Sequence, residues 1–276
     1  MARLESHFAG RHVLVTGGSM GIGLATARRP VDLDGGVTLV ARRPEPLAKA
    51  AEDLTRRRTG ARVRTLELDV SDQDAVAEAM ERELAEQPLD VLVNGAGIAT
   101  PSEFVDADPA DLRAHMDVNY FGAVWMTRAV VPHFLERGRG HLVNIGSTAS
   151  LIGVYGYAAY TPPKFALFGL SEVLRAELGP RGIGVTIVMP SSTRTGMLEA
   201  ELEAAPPQTR RILESTRILS AEKVAEALLN GVARGRFEVI PGIDVRLSTR
   251  AYRLVPRVGR AVLDFEARRA GSGRRG

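Results

Sequence analysis

A tyrosine and a lysine four positions apart, Tyr160 and Lys164, could move a proton. Residues at i and i+4 project from one helix face, so the phenol and the ammonium would lie close together. An ammonium ~4 Å from a phenolate contributes about 4 kcal/mol at an effective dielectric of ~20, before desolvation is subtracted. That could lower the phenol pKa from ~10 by up to about three units. The pair is therefore predicted to exchange protons with a bound molecule near neutral pH.

Ser147 lies upstream of the pair, and its hydroxyl could hydrogen-bond a substrate oxygen on which charge develops. Tyr-x-x-x-Lys spacing also occurs in surface helices without chemistry, which is the alternative interpretation of this motif. Pro162 and Pro163, between the two residues, remove two backbone donors and disfavour helical dihedrals. They are compatible with a working pair only in the first turn of a helix.

A glycine-rich run at residues 16–23 could bind a dinucleotide. Glycine permits a tight turn and close backbone approach to a pyrophosphate, and a following helix offers unpaired N–H groups. A purely structural glycine turn is the alternative. The residues predicted to contact the dinucleotide here are Gly17, Ser19, Met20, Gly21, Ile22 and Gly23.

The residues after the second predicted strand indicate which dinucleotide is bound. NAD-binding domains usually place an acid about 20 residues past the glycine turn, where it bonds the ribose 2′-hydroxyl. This chain instead has Arg42 and Arg43. Because a guanidinium pairs with a 2′-phosphate, Arg42 is predicted to select NADP(H); a solvated arginine pair is the alternative.

Short β-branched runs alternate with longer amphipathic segments. Strand, helix, strand repeated in this way predicts an α/β fold, a Rossmann-type doubly wound parallel sheet with its ligand site beyond the carboxyl ends of the strands. Clear helical segments are Ala75–Ala85, Pro109–Leu135 and Phe165–Leu178, and Pro30 predicts an early end or a kink in the first helix. The predicted strands are His12–Thr16, Val37–Ala41, Val63–Leu68, Val91–Asn94, His141–Ile145, Val185–Val188 and Phe237–Ile240.

Composition limits the remaining possibilities. The 276 residues fit one large domain, predicted to span residues 1–245, with a basic amphipathic extension at 246–276 whose end, Gly271–Gly276, is expected to be disordered. Cysteine is absent and the five histidines lack metal-ligand spacing, so neither a disulfide nor a metal site is expected. No secretory signal, membrane span or nucleic-acid motif is evident, so the cytoplasm is the expected location.

The order of these motifs resembles the short-chain dehydrogenase/reductase family over roughly residues 10–245. The matching positions are Thr16–Gly23, Asp69 with Val70, Asn94 to Gly97, Asn119, Ser147, and Tyr160 with Lys164. The resemblance implies an oxidoreductase that moves a proton alongside hydride, with Asn119, Ser147, Tyr160 and Lys164 as catalytic residues. By the same resemblance, Asn119 helps to hold Lys164 and an ordered water.

The resemblance also implies further contacts to NADP(H). Asp69 would bond the adenine amino group, while Asn94 and Gly97 would shape the adenosine end of the cleft. Pro190 and Thr195 resemble a loop that contacts the nicotinamide amide. The full set implied by the resemblance is Asp69, Val70, Asn94, Gly97, Tyr160, Lys164, Pro190 and Thr195.

Within the family, the second half resembles the 3-ketodihydrosphingosine (3-ketosphinganine) reductases at residues 153–157, 190–196, 213–216 and 221–225. This implies an apolar or lipid-like 3-oxo substrate, and a role in lipid metabolism. A reductase of a polyketide, steroid or small ketone is an alternative, and an NADP(H)-binding scaffold or sensor without turnover is another.

Two assembly questions remain open in the sequence. The family commonly forms homodimers or homotetramers, and the resemblance implies that Pro109–Leu135 and Phe165–Leu178 could form such interfaces here. The alternative is that the apolar faces of these helices belong to the core of a monomer. From Val245 to Phe265, apolar residues are interleaved with arginines, as in a segment that rests weakly on an anionic membrane. The alternative is an ordinary C-terminal helix packed on the domain or on a partner subunit.

Overall fold

A parallel sheet of seven strands lies at the centre of the computed structural model, which describes residues 2–271. The strands are β1 (His12–Thr16), β2 (Gly36–Ala41), β3 (Arg62–Glu67), β4 (Val91–Asn94), β5 (Gly140–Ile145), β6 (Ile183–Val188), β7 (Thr193–Arg194), β8 (Leu219–Ser220) and β9 (Glu238–Val239). Across the sheet they run β3-β2-β1-β4-β5-β6-β9, and β7 pairs with β8 separately. This order crosses over between β1 and β4, as in a doubly wound fold.

Helices cover both faces of this sheet, which confirms the predicted fold class. Alternate residues of β1 explain its continuous apolar run, since Val13 and Val15 join the core on one face and Leu14 joins the core on the other. The helices are α1 (Ala2–Phe8), α2 (Gly21–Asp32), α3 (Pro44–Arg57), α4 (Gln73–Glu86), α5 (Pro109–Met116), α6 (Gly122–Arg137), α7 (Thr161–Leu178), α8 (Gly196–Ala204), α9 (Pro207–Ser215), α10 (Ala221–Ala233), α11 (Ile243–Leu254) and α12 (Pro256–Gly271).

The seven predicted strands are all present, and their ends differ from the prediction by two residues at most. Strand β3 contains Arg64 and Glu67 because it lies at the sheet edge, where its residues are exposed or only partly covered. Strands β7 and β8 were not predicted, since two residues are too short for a periodic signal.

Three helix predictions need correction. Helix α2 does not end early at Pro30 but continues to Asp32, because the chain stays helical past the proline and the N–H of Leu33 still bonds to the Arg29 carbonyl. The alternative prediction of a kink at Pro30 stays a prediction. The predicted segment Pro109–Leu135 is two helices, α5 and α6, joined by a π-helical turn at Asp117–Phe121. Gly271, expected to be disordered, ends α12, and residues 272–276 of that expectation lie outside the described residues.

The chain ends in α11 and α12, which follow the last strand of the sheet. Within residues 2–271, every helix is either too short or too polar to cross a membrane.

Candidate active site

A cavity of about 370 Å³ opens beyond the carboxyl ends of the central strands. This is the position at which doubly wound sheets bind ligands. The glycine turn, Arg42 and the Tyr160–Lys164 pair all line it, although the pair lies more than 100 residues after the other two in the sequence. The predicted residues that line the cavity are Gly17, Ser19, Met20, Gly21, Ile22, Gly23, Arg42, Asp69, Val70, Gly97, Ser147, Tyr160, Lys164, Pro190 and Thr195.

The glycine turn leaves no room for side chains where it meets its neighbours. A Cβ at Gly23 would lie 2.2 Å from the carbonyl oxygen of Gly17, and Gly17 has a φ of 67°. The N-terminus of α2 follows the turn, and its N-cap residue, Met20, makes no capping side-chain hydrogen bond. Backbone N–H groups at this helix end are therefore available to a pyrophosphate.

Arg42 and Asp69, which the sequence suggested for separate roles, face each other at the rim of the cavity. Arg42 Nη1 lies 3.4 Å from Asp69 Oδ2, and the Arg42 side chain is 56% exposed. Burial alone would raise the pKa of Asp69, but hydrogen bonds from Ser71 and the charge of Arg42 together lower it. Arg43 also lines the cavity, with Nη2 lying 3.7 Å from the Met20 sulfur. The rim thus carries two guanidinium groups beside one ionised carboxylate.

The two prolines beside the candidate proton donor lie in the first turn of α7, which begins at Thr161. Their missing N–H groups are among those that have no partner inside the helix. Lys164 therefore remains one turn beyond Tyr160, with its Nζ 5.5 Å from the Tyr160 ring centroid. The buried ammonium donates a hydrogen bond of 3.0 Å to the carbonyl oxygen of Ile145.

The expected lowering of the Tyr160 pKa is wrong for the chain alone. Burial and the negative charge of Glu201 raise the pKa of Tyr160, and a hydrogen bond with Ser147 only partly opposes them. Burial also lowers the pKa of Lys164 to about 8. The phenol therefore remains protonated at neutral pH, as a proton donor must be.

Ser147 is fixed by a short 3₁₀ turn, Thr148–Ser150, which follows β5. Its Oγ accepts a hydrogen bond of 3.1 Å from the backbone N–H of Ala149, and its own N–H donates to Ser150 Oγ. This reciprocal capping aims the hydroxyl into the cavity and leaves its proton to be donated.

Two predicted residues, Asn94 and Asn119, lie behind the cavity wall instead of lining it. The Asn94 amide donates hydrogen bonds to Thr127 and Asn144 inside the protein. Asn119, in the π-helical turn, exchanges two hydrogen bonds of 2.9 Å with the backbone of Ile98. The Asn94 side chain therefore does not line the cavity, and the role of this residue at the adenosine end of the cleft stays a prediction.

Asn119 still lies close to the proton-donating pair. A Cβ at Gly97 would lie 2.9 Å from Asn119 Oδ1 and 3.8 Å from Lys164 Nζ. The absence of a side chain at Gly97 therefore leaves a gap between the asparagine and the lysine.

Tyr157 and Glu201 are among the cavity residues that were not predicted from the sequence. Tyr157 lies one turn before Tyr160, with ring centroids 5.5 Å apart, and its hydroxyl donates a 2.5 Å hydrogen bond to Glu201. Glu201 comes from α8 and is partly buried. A carboxylate among apolar neighbours at this point was a weak signal, since Glu199 and Glu203 on the same helix are both exposed. Apolar residues of the cavity wall include Val154, Met197, Leu198, Ile212 and Leu213, referred to below as the apolar wall.

Comparison with known proteins identifies the family to which this chain belongs. The sequence profile of the short chain dehydrogenase family matches residues 11–205. The structure of a short-chain dehydrogenase from Sphingobium yanoikuyae in complex with NADPH superposes with a TM-score of 0.76 at 28% identity, covering 91% of this chain and 93% of that one. The chain therefore belongs to the short-chain dehydrogenase family of oxidoreductases.

Two relatives narrow the resemblance within the family. The 3-ketodihydrosphingosine reductase of Bos taurus is 34% identical over 239 residues, covering 85% of this chain and 72% of the bovine protein. A 3-dehydrosphinganine reductase of Arabidopsis thaliana is 37% identical over 232 residues, covering 83% of this chain and 69% of the plant protein. The resemblance suggested by the sequence is confirmed, and an NADP(H)-binding scaffold without turnover is not supported.

Proposed function

We propose that this chain uses NADPH to reduce the ketone of an apolar, long-chain substrate. The observation that carries the proposal is the convergence of Ser147, Tyr160 and Lys164 on the cavity that the glycine turn also lines. A proton donor beside a dinucleotide cradle is the arrangement that carbonyl reduction requires.

The chain's own residues would handle the proton and the developing charge. When bound, the dinucleotide supplies the hydride. The Ser147 and Tyr160 hydroxyls would hydrogen-bond the substrate oxygen, and Tyr160 would give up its proton as negative charge develops there. The Lys164 ammonium, held by the Ile145 carbonyl, would then stabilise the phenolate.

The glycine turn and the arginine rim support NADPH as the dinucleotide. The turn is packed so tightly that any Cβ at Gly23 would overlap the Gly17 carbonyl. Such a turn lets a pyrophosphate approach the backbone N–H groups at the start of α2. Arg42 and Arg43 lie where a 2′-phosphate would add negative charge, and such a phosphate would compete with Asp69 for Arg42. The related Sphingobium yanoikuyae enzyme was crystallised with NADPH.

Two observations support the substrate class. The apolar wall is suited to a hydrocarbon chain, and the two eukaryotic relatives are named for the reduction of 3-ketodihydrosphingosine, a long-chain amino ketone. A polyketide, a steroid or a small ketone would occupy the same reaction centre and is the competing substrate.

A panel of ketones tests this proposal. NADPH and NADH oxidation would be followed with 3-ketodihydrosphingosine, a steroid ketone and a small cyclic ketone. We expect turnover of the long-chain ketone with NADPH preferred over NADH. Turnover of only the steroid or small ketones would assign one of these as the substrate in place of the long-chain ketone. NADPH binding without reduction of any ketone would refute the proposal.

We also propose a homodimer or homotetramer built on the faces of α6 and α7. Phe165 and Val173 are exposed on α7, and Phe121, at the start of α6, stacks on Trp125 beside it. Exposed apolar side chains of this size are typical of interfaces. Light scattering should give a mass of two or four chains, and the mass of a single chain would contradict the proposed oligomer.

The cytoplasmic location and a catalytic domain at residues 1–245 with an extension at 246–276 remain predictions.

A further inference from the structure

Glu201 is a carboxylate placed within the cavity, close to the proposed proton donor. The Thr195 hydroxyl caps α8 by accepting a hydrogen bond of 3.4 Å from Leu198 N–H, which starts the helix at the cavity wall. One and a half turns later, Glu201 lines the cavity and accepts the Tyr157 hydrogen bond. That bond fixes the carboxylate beside Tyr157, whose ring contacts the Tyr160 ring at an interplanar angle of 59°.

The surroundings of this carboxylate do not balance its charge. Tyr157, Leu198 and Leu213 form an apolar cluster with Val154, Tyr160 and Leu202 around it. Burial raises the pKa of Glu201, and the Tyr157 hydrogen bond only partly opposes this. Among the described residues, no lysine or arginine forms an ion pair with Glu201.

An unpaired carboxylate in such a place is unfavourable for folding. Removing a carboxylate from water is unfavourable unless a cation or several hydrogen-bond donors replace the water. A glutamine could accept the same Tyr157 hydrogen bond without that cost, so the hydrogen bond alone does not account for an acid. The negative charge is explained if a positively charged ligand group completes the pair.

We propose that Glu201 is a specificity-determining residue that binds a cationic amino group of the substrate, next to the ketone held by Ser147 and Tyr160. This inference rests on the proposed reductase function and adds to it the chemical class of the substrate, an amino ketone. The apolar wall would hold the hydrocarbon part, and Glu201 would fix which end of the molecule enters first. Neutral ketones of the same length would lack this contact.

The test compares two substrates and three proteins. The substrates are 3-ketodihydrosphingosine and the ketone of equal chain length with hydrogen in place of the amino group. The proteins are the wild type, Glu201→Gln, and the control Glu199→Gln, which changes an exposed carboxylate of the same helix. The measurement is kcat/KM from NADPH oxidation, with NADPH affinity measured separately by fluorescence.

For Glu201→Gln, we expect kcat/KM for the amino ketone to fall about 10- to 100-fold, the range of a hydrogen bond to a charged group. The value for the ketone without the amino group should stay within about twofold, or rise because a glutamine is easier to desolvate. Glu199→Gln should change neither value, and the NADPH affinity of all three proteins should agree.

The outcomes separate the two proposals. If Glu201→Gln lowers kcat/KM equally for both ketones, or for neither, the reductase function stands and the role of Glu201 in recognising an amine is wrong. If the wild type binds NADPH but reduces neither ketone, the proposed function itself is wrong, and the amine-binding role falls with it.

Discussion

Lys164 carries a buried ammonium that the proposed chemistry needs and that folding disfavours. Its side chain is 5% exposed, and its one hydrogen bond given by the structure goes to the Ile145 carbonyl. Burial lowers its pKa to about 8, which at about 1.4 kcal/mol per pKa unit corresponds to roughly 3 kcal/mol of lost stability. The loss is fully present below pH 8 and shrinks as the pH rises towards the ordinary lysine pKa.

Replacing Lys164 with methionine should therefore abolish turnover and stabilise the fold. We expect Tm to rise by a few degrees at pH 7, and by less at pH 10, where the wild-type lysine is already neutral in the folded state. Thermal melts of both proteins at the two pH values measure this. An equal or lower Tm for Lys164→Met at pH 7 would show that the ammonium is better compensated than its surroundings indicate.

Tyr160 shows why residue chemistry could be predicted only in part. Its identity and its i to i+4 spacing from Lys164 were visible in the sequence, and so was the favourable sign of the lysine charge. The burial of the phenol and the approach of Glu201 were not, because both depend on how α8 packs against the start of α7. For the same reason the hydrogen-bond partners of the Asn94 side chain could not be predicted, since they come from β5 and α6.

At the scale of elements, the turn between β1 and α2 depends on glycine at one crowded position. A Cβ at Gly23 would overlap the Gly17 carbonyl at 2.2 Å, which no side-chain movement can relieve. Gly23→Ala should weaken NADPH binding by at least about tenfold and lower Tm, as expected for overpacking of about 1–3 kcal/mol.

Gly169→Ala is the matched control for this substitution. Gly169 lies within α7, and a Cβ there meets no atom within 4 Å. The alanine should raise stability by up to about 1 kcal/mol and leave NADPH affinity unchanged. Titration of each variant with NADPH, followed by NADPH fluorescence, measures the affinities. Equal affinities for Gly23→Ala and the wild type would contradict the role of the glycine turn in binding NADPH.

The elements themselves were largely predictable because their signals are local. Continuous apolar runs such as Val91–Asn94 indicated strands covered on both faces, and the cores on the two faces confirm this. The π-helical turn at Asp117–Phe121 was hidden, since it shifts the phase of the apolar pattern by one residue, and such a shift is hard to recognise in a helix as short as α5. It is also the element that places Asn119 against the backbone of Ile98.

At the scale of the whole molecule, α11 and α12 expose an apolar surface bordered by arginines. Arg250, Arg257 and Arg260 are exposed on these helices, whereas Arg253 pairs with Glu238 at 2.8 Å. Interleaved cations and apolar side chains are suited to a peripheral contact with an anionic membrane. On this surface, the large apolar side chains that are more than half exposed are those of Ile243, Leu247, Leu254, Val255, Val258, Val262 and Phe265.

Sedimentation with vesicles tests this surface. The wild type should sediment with vesicles that contain phosphatidylglycerol at low salt, and salt should release it. The triple change Leu254→Ser, Val258→Ser and Phe265→Ser should abolish sedimentation, while Phe104→Ser, which alters a more exposed ring outside this surface, should not. If the wild type stays in the supernatant at low salt, this surface has another role, such as contact between subunits.

The central claim, proton donation by Tyr160 beside a hydride donor, is tested most directly by isotope transfer. NADPH carrying deuterium at the transferred C4 position would be incubated with 3-ketodihydrosphingosine, and the alcohol would be examined by mass spectrometry. We expect one deuterium on the carbinol carbon with the wild type, and no alcohol with Tyr160→Phe, although that variant should bind NADPH equally well. Alcohol formed without deuterium, or formed at the wild-type rate by the phenylalanine variant, would contradict the mechanism.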